Sequence, residues 1–301
     1  MSVSEHTTAT VLIAGGRGLI GGHLTRYFKE RGYRVYKLTR NPKRRGHIHW
    51  NPDANEINAA KLDRIHILIN LCGENIGSKR WTNKRKGQLM ASRIRSTEFL
   101  ASLIPQMPNL RYYIGASGVN CYDPISGKIF QESDAYGTDY LSNLVMHWEA
   151  AHDAVVAQVP GSIFRIAMVL SRHGGSLHAL KIPVQLGLGA PIGTGEQYHP
   201  WIHIDDLCRM MLYACDENLK GVYHAVAAND TDKALIKSLA KWLKRPLLLP
   251  NIPGFLMRIV LGERATLVLS DLRVSNDKIK QSGFVFKYKK LDDAFKAFFK
   301  K

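Results

Sequence analysis

Apolar residues along this chain come in short runs, and the longer stretches between the runs repeat them every three or four positions. That rhythm predicts strands alternating with amphipathic helices. Val11-Leu12-Ile13-Ala14 is the first run and ends in a cluster of glycines. Residues 19–32 then carry a helical repeat closed by Gly32, and residues 34–39 read as a second strand. Further strands are predicted at 65–71, 111–116 and 162–170, separated by helices at 84–104 and 138–159. Strand-helix alternation of this kind implies an α/β fold, a Rossmann-type doubly wound parallel sheet with helices on both faces.

Beyond residue 170 the texture changes to glycine-rich and proline-containing loops at 173–175 and 187–195, where a smaller substrate lobe is expected to begin. A helix at 204–217, a strand at 221–227 and a helix at 231–243 return the chain to the sheet, and a lysine-rich helix ends it. The expected organisation is an NADP-binding Rossmann domain over 8–228, including substrate-lobe loops from about 171. A C-terminal segment over 229–301 completes that lobe.

Charge is the outlier of the composition. Lys and Arg total 42 against 25 Asp and Glu, a net +17 that attracts phosphorylated ligands, nucleic acid or anionic lipid. The bases are spread over 26–45, 79–95 and the C-terminus without a helix-turn-helix, zinc finger or aromatic RNA-binding motif, so no nucleic-acid function is expected. The opening MSVSEHTTAT lacks a basic region and an apolar core, and no apolar stretch is long enough for a bilayer span; no leader and no membrane partner are expected. Cys72, Cys121, Cys208 and Cys215 form no CxxC pair, which predicts no metal site and a reducing, cytoplasmic setting.

The chemistry starts at Gly15-Gly16-Arg17-Gly18-Leu19-Ile20-Gly21, which satisfies both GxGxxG and GxxGxxG between the first strand and the first helix. Gly15 or Gly16 permits a tight turn, Gly18 lets backbone approach a diphosphate, and Gly21 allows close helix packing, with the free N–H groups of the helix start drawing the anion. An NAD site normally carries Asp or Glu at the end of strand two. Here Thr39-Arg40 stands there, followed by Lys43, Arg44 and Arg45. A guanidinium suits a 2′-phosphate, so the predicted cofactor is NADP(H).

Asn70-Leu71-Cys72-Gly73-Glu74-Asn75-Ile76, Arg80-Trp81, Ser92-Arg93 with Thr97, Ser142-Asn143-Leu144-Val145 with Trp148-Glu149, the 187–195 loop, Trp201-Ile202-His203-Ile204-Asp205-Asp206, Gly262-Glu263-Arg264-Ala265 and Gly283-Phe284 together carry a resemblance over nearly the whole chain. They resemble an atypical branch of the extended short-chain dehydrogenases/reductases, the "epimerase family" proteins, some of them labelled cell division inhibitors. The resemblance implies an NADP-binding Rossmann protein with a family-specific C-terminal segment. It also implies that the 84–104 helix flanks the cofactor, with Arg93 a phosphate or ribose contact and Gln88 a weaker one. Leu71, Cys72 and Gly73 would then lie on the adenosine side and Val169 by the nicotinamide. On that helix Met90, Ile94, Thr97, Ala101 and Ile104 read as the apolar seam, with Arg93 beside it.

Members of the wider superfamily use a Ser after a central strand and Tyr-x-x-x-Lys on the next helix, the ammonium lowering the phenol pKa for proton exchange. Ser117 matches the serine. The pair does not appear: stepping back from Glu149 by four and eight gives Val145 and Leu141, and Tyr140 lies about 100° away around the helix. Tyr122, Tyr140 and His203 are the remaining proton donors to weigh, Tyr122 first, and Asp205 is expected to cap the helix after His203. The reading is an NADP-binding oxidoreductase or epimerase-like protein acting on an unknown small molecule with a nonstandard catalytic site. The alternative is a noncatalytic NADP(H) sensor acting on a protein partner.

Overall fold

The computed structural model describes residues 9–125 and 127–300. The opening eight residues, on which the expectation of no leader rests and which include the first residue of the expected Rossmann domain, lie outside the described residues. From the amino end the chain forms β1 (Thr10–Ala14), α1 (Leu19–Lys29), β2 (Arg34–Thr39), β3 (His47–Asn51), β4 (Glu56–Ile57), β5 (Ile67–Asn70), α2 (Asn83–Leu103), β6 (Tyr112–Gly118) and β7 (Ile129–Phe130). It continues through α3 (Tyr140–Val156), β8 (Gly161–Ile166), β9 (Met168–Leu170), α4 (Ser176–Gln185), β10 (Tyr198–His203), α5 (Ile204–Asp216), β11 (Gly221–Ala225) and β12 (Ala228–Thr231). The remainder is α6 (Asp232–Leu243), α7 (Gly254–Leu261), α8 (Thr266–Leu269), β13 (Arg273–Val274), α9 (Asp277–Gln281) and α10 (Leu291–Phe299).

The central sheet has the order β11-β8-β6-β5-β1-β2-β3-β4, with every pair parallel except β3–β4. Side chains alternate across it as strand geometry requires. Val11 and Ile13 of β1 pack with Leu24 and Phe28 of α1 and Leu207 of α5, whereas Leu12 and Ala14 pack with Phe99 and Leu100 of α2 and Val155 of α3. Two hydrophobic layers thus cover the sheet, as the strand-helix rhythm predicts.

Three departures have clear physical causes. The single strand expected over 162–170 is two strands: pairing with β6 ends at Ile166, and β9 leaves the sheet to pair with β10. The basic run 43–45 leads directly into β3, where Ile48 and Trp50 alternate inward and Trp50 stacks on Phe99 with centroids 6.0 Å apart. On α2 Thr97 and Ala101 of the expected seam are buried, but Met90, Ile94 and Ile104 are half-buried while Leu89, Arg93 and Leu100 are buried, so Arg93 lies inside the buried face.

The C-terminal segment is knitted to the sheet domain. The proposed division at 228/229 falls inside β12, which pairs with β10. The buried Asp206 carboxylate of α5 accepts the Lys287 and Tyr288 N–H groups at 3.0 and 2.8 Å, and Phe284, Phe286 and Phe295 join the same core as α1 and α5.

Between sheet and α3, His152 is wholly buried beside Gly115. Its Nε2 donates to Ala116 O (3.0 Å) and its Nδ1 accepts from the Tyr113 hydroxyl (2.7 Å), an arrangement that suits a neutral ring. Burial pushes its pKa down from 6.5 to about 4. The unfolded chain therefore binds the extra proton first, and stability held above pH 6.5 is lost as the pH falls toward 4. Denaturant unfolding should give about 2 kcal/mol less stability at pH 5 than at pH 7 from His152 alone. A flat profile over that range would contradict it.

Candidate cofactor cleft and polar network

Strand order reverses between β1 and β5: β2 and β3 lie to one side of β1, while β5, β6, β8 and β11 lie to the other. A crevice opens beyond the carboxyl ends of the strands at such a point. The glycine turn fills its floor. Gly15 has φ +76, and a Cβ there would sit 2.6 Å from the Leu71 carbonyl oxygen. A Cβ on Gly21 would stand 2.6 Å from both Gly15 O and Gly16 Cα, so Gly21 lets α1 press onto the turn. At Gly18 a Cβ would meet only Gly15 O, at 3.4 Å, and the Lys37 stem lies against Gly16. No side chain caps α1, its first turn holds no acid, and Arg17 is exposed next to it. Among the described residues the N–H groups of Leu19 and Ile20 have no acceptor. Unsatisfied donors at a helix start are what an anion binds.

Thr39 is buried, and its Oγ1 accepts the Asn41 N–H at 3.2 Å, fixing the turn that presents Arg40. Arg40 is exposed, and its charge acts on both Cys72 and Glu74 at the end of β5. Its charge is thus within electrostatic reach of the turn after β5. Lys43, Arg44 and Arg45 are exposed on the way to β3.

Arg93 reaches the same place from α2. Its guanidinium lies against Gly73, where a Cβ would be 3.0 Å from Cζ, and 4.9 Å from the Trp148 ring centroid. Its nitrogens donate only to Leu89 O (2.9 Å) and Glu74 O (3.2 Å), and Nε has no partner. The adjacent Glu74 carboxylate is taken by Arg85, which also contacts Gln88. Among the described residues Arg93 has no counter-anion. Burial lowers its pKa to about 10, because a desolvated cation without an anion is destabilised. Gln88 itself is exposed.

Asn70, which opens the resemblance motif but was given no role there, locks the turn after β5: Nδ2 donates to Thr97 Oγ1 (2.8 Å) and Oδ1 accepts the Cys72 N–H (3.0 Å). Burial pushes the Cys72 thiol up to about 12, which leaves it unreactive. Leu71 is half-buried beside Gly15. Val169 is half-buried on β9, and the Gly175 loop beyond it packs against Leu19 of α1.

Ser117 lies at the end of β6 on the α3 side, and its Oγ donates to Glu149 Oε1 at 2.6 Å. Glu149 also accepts from Tyr136 Oη (2.7 Å) and from Arg165 Nε and Nη2 (2.9 and 2.8 Å). Burial works to raise the Glu149 pKa, but the Arg165 fork and the two hydroxyl donors hold it below the usual carboxylate range. The carboxylate is charged, so Ser117 turns its lone pairs rather than its proton outward. Half-buried Tyr136 is the second hydroxyl on that carboxylate, and no spacing in the sequence points to it.

Tyr122 is placed differently from the expectation of a hydroxyl aimed at the cleft. It is buried, donates to Gln131 O (2.9 Å), lies 2.7 Å from His224 Nε2 and accepts from Arg165, so its oxygen is fully engaged. Tyr140 donates to Lys86 O. His203 sits across the sheet between Tyr288 and Phe298, lining a cavity of about 320 Å³ with His23, Arg26 and Arg172. Its Nδ1 accepts the Asp205 N–H, so His203 rather than Asp205 caps α5. Among the described residues no cluster suits a metal ion.

A glycine turn at the switch point of a doubly wound sheet, with two arginines close by, defines a protein of Rossmann-type fold. Residues 11–226 match the NAD dependent epimerase/dehydratase family, and residues 252–298 match a domain of unknown function, DUF1731. The chain belongs to the NAD dependent epimerase/dehydratase family. It is 34% identical over 298 residues to the epimerase family protein SDR39U1 of Mus musculus, covering 95% of this chain and 98% of the relative. An SDR39U1 homolog of Arabidopsis thaliana, named as chloroplastic, is 31% identical over 98% of this chain and 88% of its own length. The crystal structure of human epimerase family protein SDR39U1 (isoform2) with NADPH superposes with a TM-score of 0.87 at 31% identity, covering 96% of this chain and 98% of that one. A UDP-glucose 4-epimerase from Thermotoga maritima, 16% identical with a TM-score of 0.74 over 96% of this chain and 98% of its own, shares the fold.

The Arg165–Glu149 pair makes a stability prediction. Glu149→Leu should cost about 3–5 kcal/mol in denaturant unfolding, because it leaves a buried guanidinium without its anion. Adding Arg165→Met should recover part of that loss. Equal stability of the single variant and the parent would show that the pair carries no such constraint.

Proposed function

We propose that the chain is an NADP(H)-binding oxidoreductase, epimerase-like in fold, acting on a small molecule at a site that lacks Tyr-x-x-x-Lys. The observation that carries it is Arg93, a buried cation with an orphaned Nε and, among the described residues, no counter-anion, beside a glycine cradle and the free N–H groups of α1. The residues present fit a dinucleotide: Gly15, Gly16, Arg17, Gly18, Leu19 and Ile20 for the diphosphate, Thr39 and Arg40 for the 2′-phosphate. Leu71, Cys72 and Gly73 serve the adenosine side, Arg93 with Gln88 a phosphate or ribose, and Val169 the nicotinamide. The relative crystallised with NADPH supports the same choice of cofactor. When bound, that cofactor exchanges a hydride with the substrate.

Ser117 is the catalytic hydroxyl in this reading. With its proton held by ionised Glu149, Ser117 Oγ accepts from a substrate hydroxyl and passes its own proton toward the carboxylate, while Arg165 and Tyr136 hold that carboxylate in place. Tyr122 has no part in it, since its hydroxyl is engaged behind the network. The four unpaired cysteines favour a reducing compartment, and we assign the cytoplasm.

A second reading, a noncatalytic NADP(H) sensor with a protein partner, draws on α3, where Leu141 and Val145 are buried in packing and supply no proton. Fluorescence titration tests the cofactor. Arg40→Ala should weaken NADPH binding about tenfold or more and leave NADH nearly unchanged, given the worth of a hydrogen bond to a charged group. An equal effect on both removes the 2′-phosphate role. Incubation with NADP+ and a panel of small alcohols separates enzyme from sensor. Turnover that Ser117→Ala abolishes is the expected result, and tight NADPH binding with no hydride transfer from any alcohol selects the sensor.

A further inference from the structure

Between residues 233 and 262 the chain has six basic residues and no Asp or Glu. In the same stretch, side chains of core type stand in solvent: Leu248 is 78% exposed, Val260 66%, Ile259 65% and Phe255 59%. None of the eight residues of α7 is buried. Phe255, Leu256, Ile259 and Val260 recur at helical spacing and share one face of that helix. The apolar surface continues beyond α7. Ile252 N–H donates to Pro191 O at 2.8 Å and Leu247 packs on Gly189, which brings in Leu186 and Leu188, also exposed. Scattered exposed apolar residues need no explanation, but a connected patch marks an interaction surface.

The helix is tethered rather than loose. Arg80 Nη2 donates to Ile259 O at 2.6 Å, and Arg264 Nη1 donates to Gly77 O at 2.7 Å just beyond its end. The charges around the patch are of one sign. Lys233 and Lys241 are paired with Glu196 and Asp292, and Glu263, the next acid along the chain, is paired with Lys86. Exposed Lys244, Arg245 and Arg258 have no ion pair among the described residues.

A second copy of the chain would set these bases against identical bases, on molecules each carrying +17. An anionic bilayer offers both complements at once, negative headgroups for the bases and an acyl boundary for the side chains between them. We propose that the 244–260 face docks the protein peripherally on an anionic phospholipid surface. Phe255, Leu256, Ile259 and Val260 enter the interface, and Lys244, Arg245 and Arg258 meet the headgroups. No helix of the described residues is long and apolar enough to cross a membrane, and α7, about 12 Å long, lies in the interface without spanning it. The expectation of no membrane partner rested on the lack of a span, which an interfacial helix does not need.

Flotation with phosphatidylcholine vesicles, with and without phosphatidylserine, tests this with the full chain. Recovery should be about tenfold or more higher on the phosphatidylserine vesicles at low salt and should collapse at high salt. Phe255→Ser with Ile259→Ser, and separately Lys244→Glu with Arg245→Glu, should each remove most of it, with unchanged NADPH titration reporting an intact fold. The proposal is overturned by absence of binding, by equal binding to neutral vesicles, or by both double variants floating like the parent. It is equally overturned by a dimer that the apolar double variant dissolves in a protein that ignores vesicles.

Discussion

The cleft depends on one close approach. The turn after β1 lies so near the end of β5 that any side chain at residue 15 would collide with the Leu71 carbonyl, and the backbone there is left-handed. Because Gly15 can be there, the amino end of α1, the Leu71-Cys72-Gly73 turn and the Arg93 guanidinium converge on one crevice. Asn70 fixes the same turn from behind through Thr97 and the Cys72 N–H. The reversal of strand order supplies the gap, and the glycine keeps the gap open to backbone donors instead of side chains.

Two buried arginines show how differently the protein treats a cation. Arg165 has its anion in the chain, and although burial opposes its charge, Glu149 raises its pKa. Arg93 has carbonyl oxygens and an indole face, and burial lowers its pKa. One is structurally complete and orients Ser117 and Tyr136 through Glu149. The other is electrostatically incomplete, which a structural role alone would not favour, since desolvating an unpaired charge costs several kcal/mol. Their difference separates a cation whose charge the chain itself neutralises from one it leaves without an anion among the described residues.

What was legible in the sequence follows the range of each interaction. The glycine turn and the strands β1 and β2 are local features set by sterics and period, and they stand where the pattern put them. Strand β3 was hidden because His47 and His49 occupy its half-buried positions behind a run of bases. On α2, charge put Arg93 at the edge of the apolar stripe in the reading, although it lies inside the buried face. Glu149 could be read as orienting Ser117 or as half of an ion pair, and it does both, but Arg165 and Tyr136 gave no usable signal. Ser117 and its carboxylate are 32 residues apart, and Arg165 comes from a strand beyond the helix that carries Glu149. Only the β6–β8 pairing, with Ser117 opposite Arg165, assembles them.

The missing Tyr-x-x-x-Lys has a structural counterpart. Leu141 and Leu144 of α3 pack with Leu89 of α2 and Trp81, while Val145 packs with Val119 and Cys121 beyond β6. Of the positions that would carry a phenol and an ammonium, Leu141 closes the α2–α3 contact and Val145 fills the apolar cluster beyond β6. A lysine in place of Val145 would have to be desolvated in that cluster, and Arg165 already supplies a cation one strand away. The positive charge near the serine has therefore moved from the helix to β8. It acts on a carboxylate rather than on a phenol, and that carboxylate accepts the Ser117 hydroxyl.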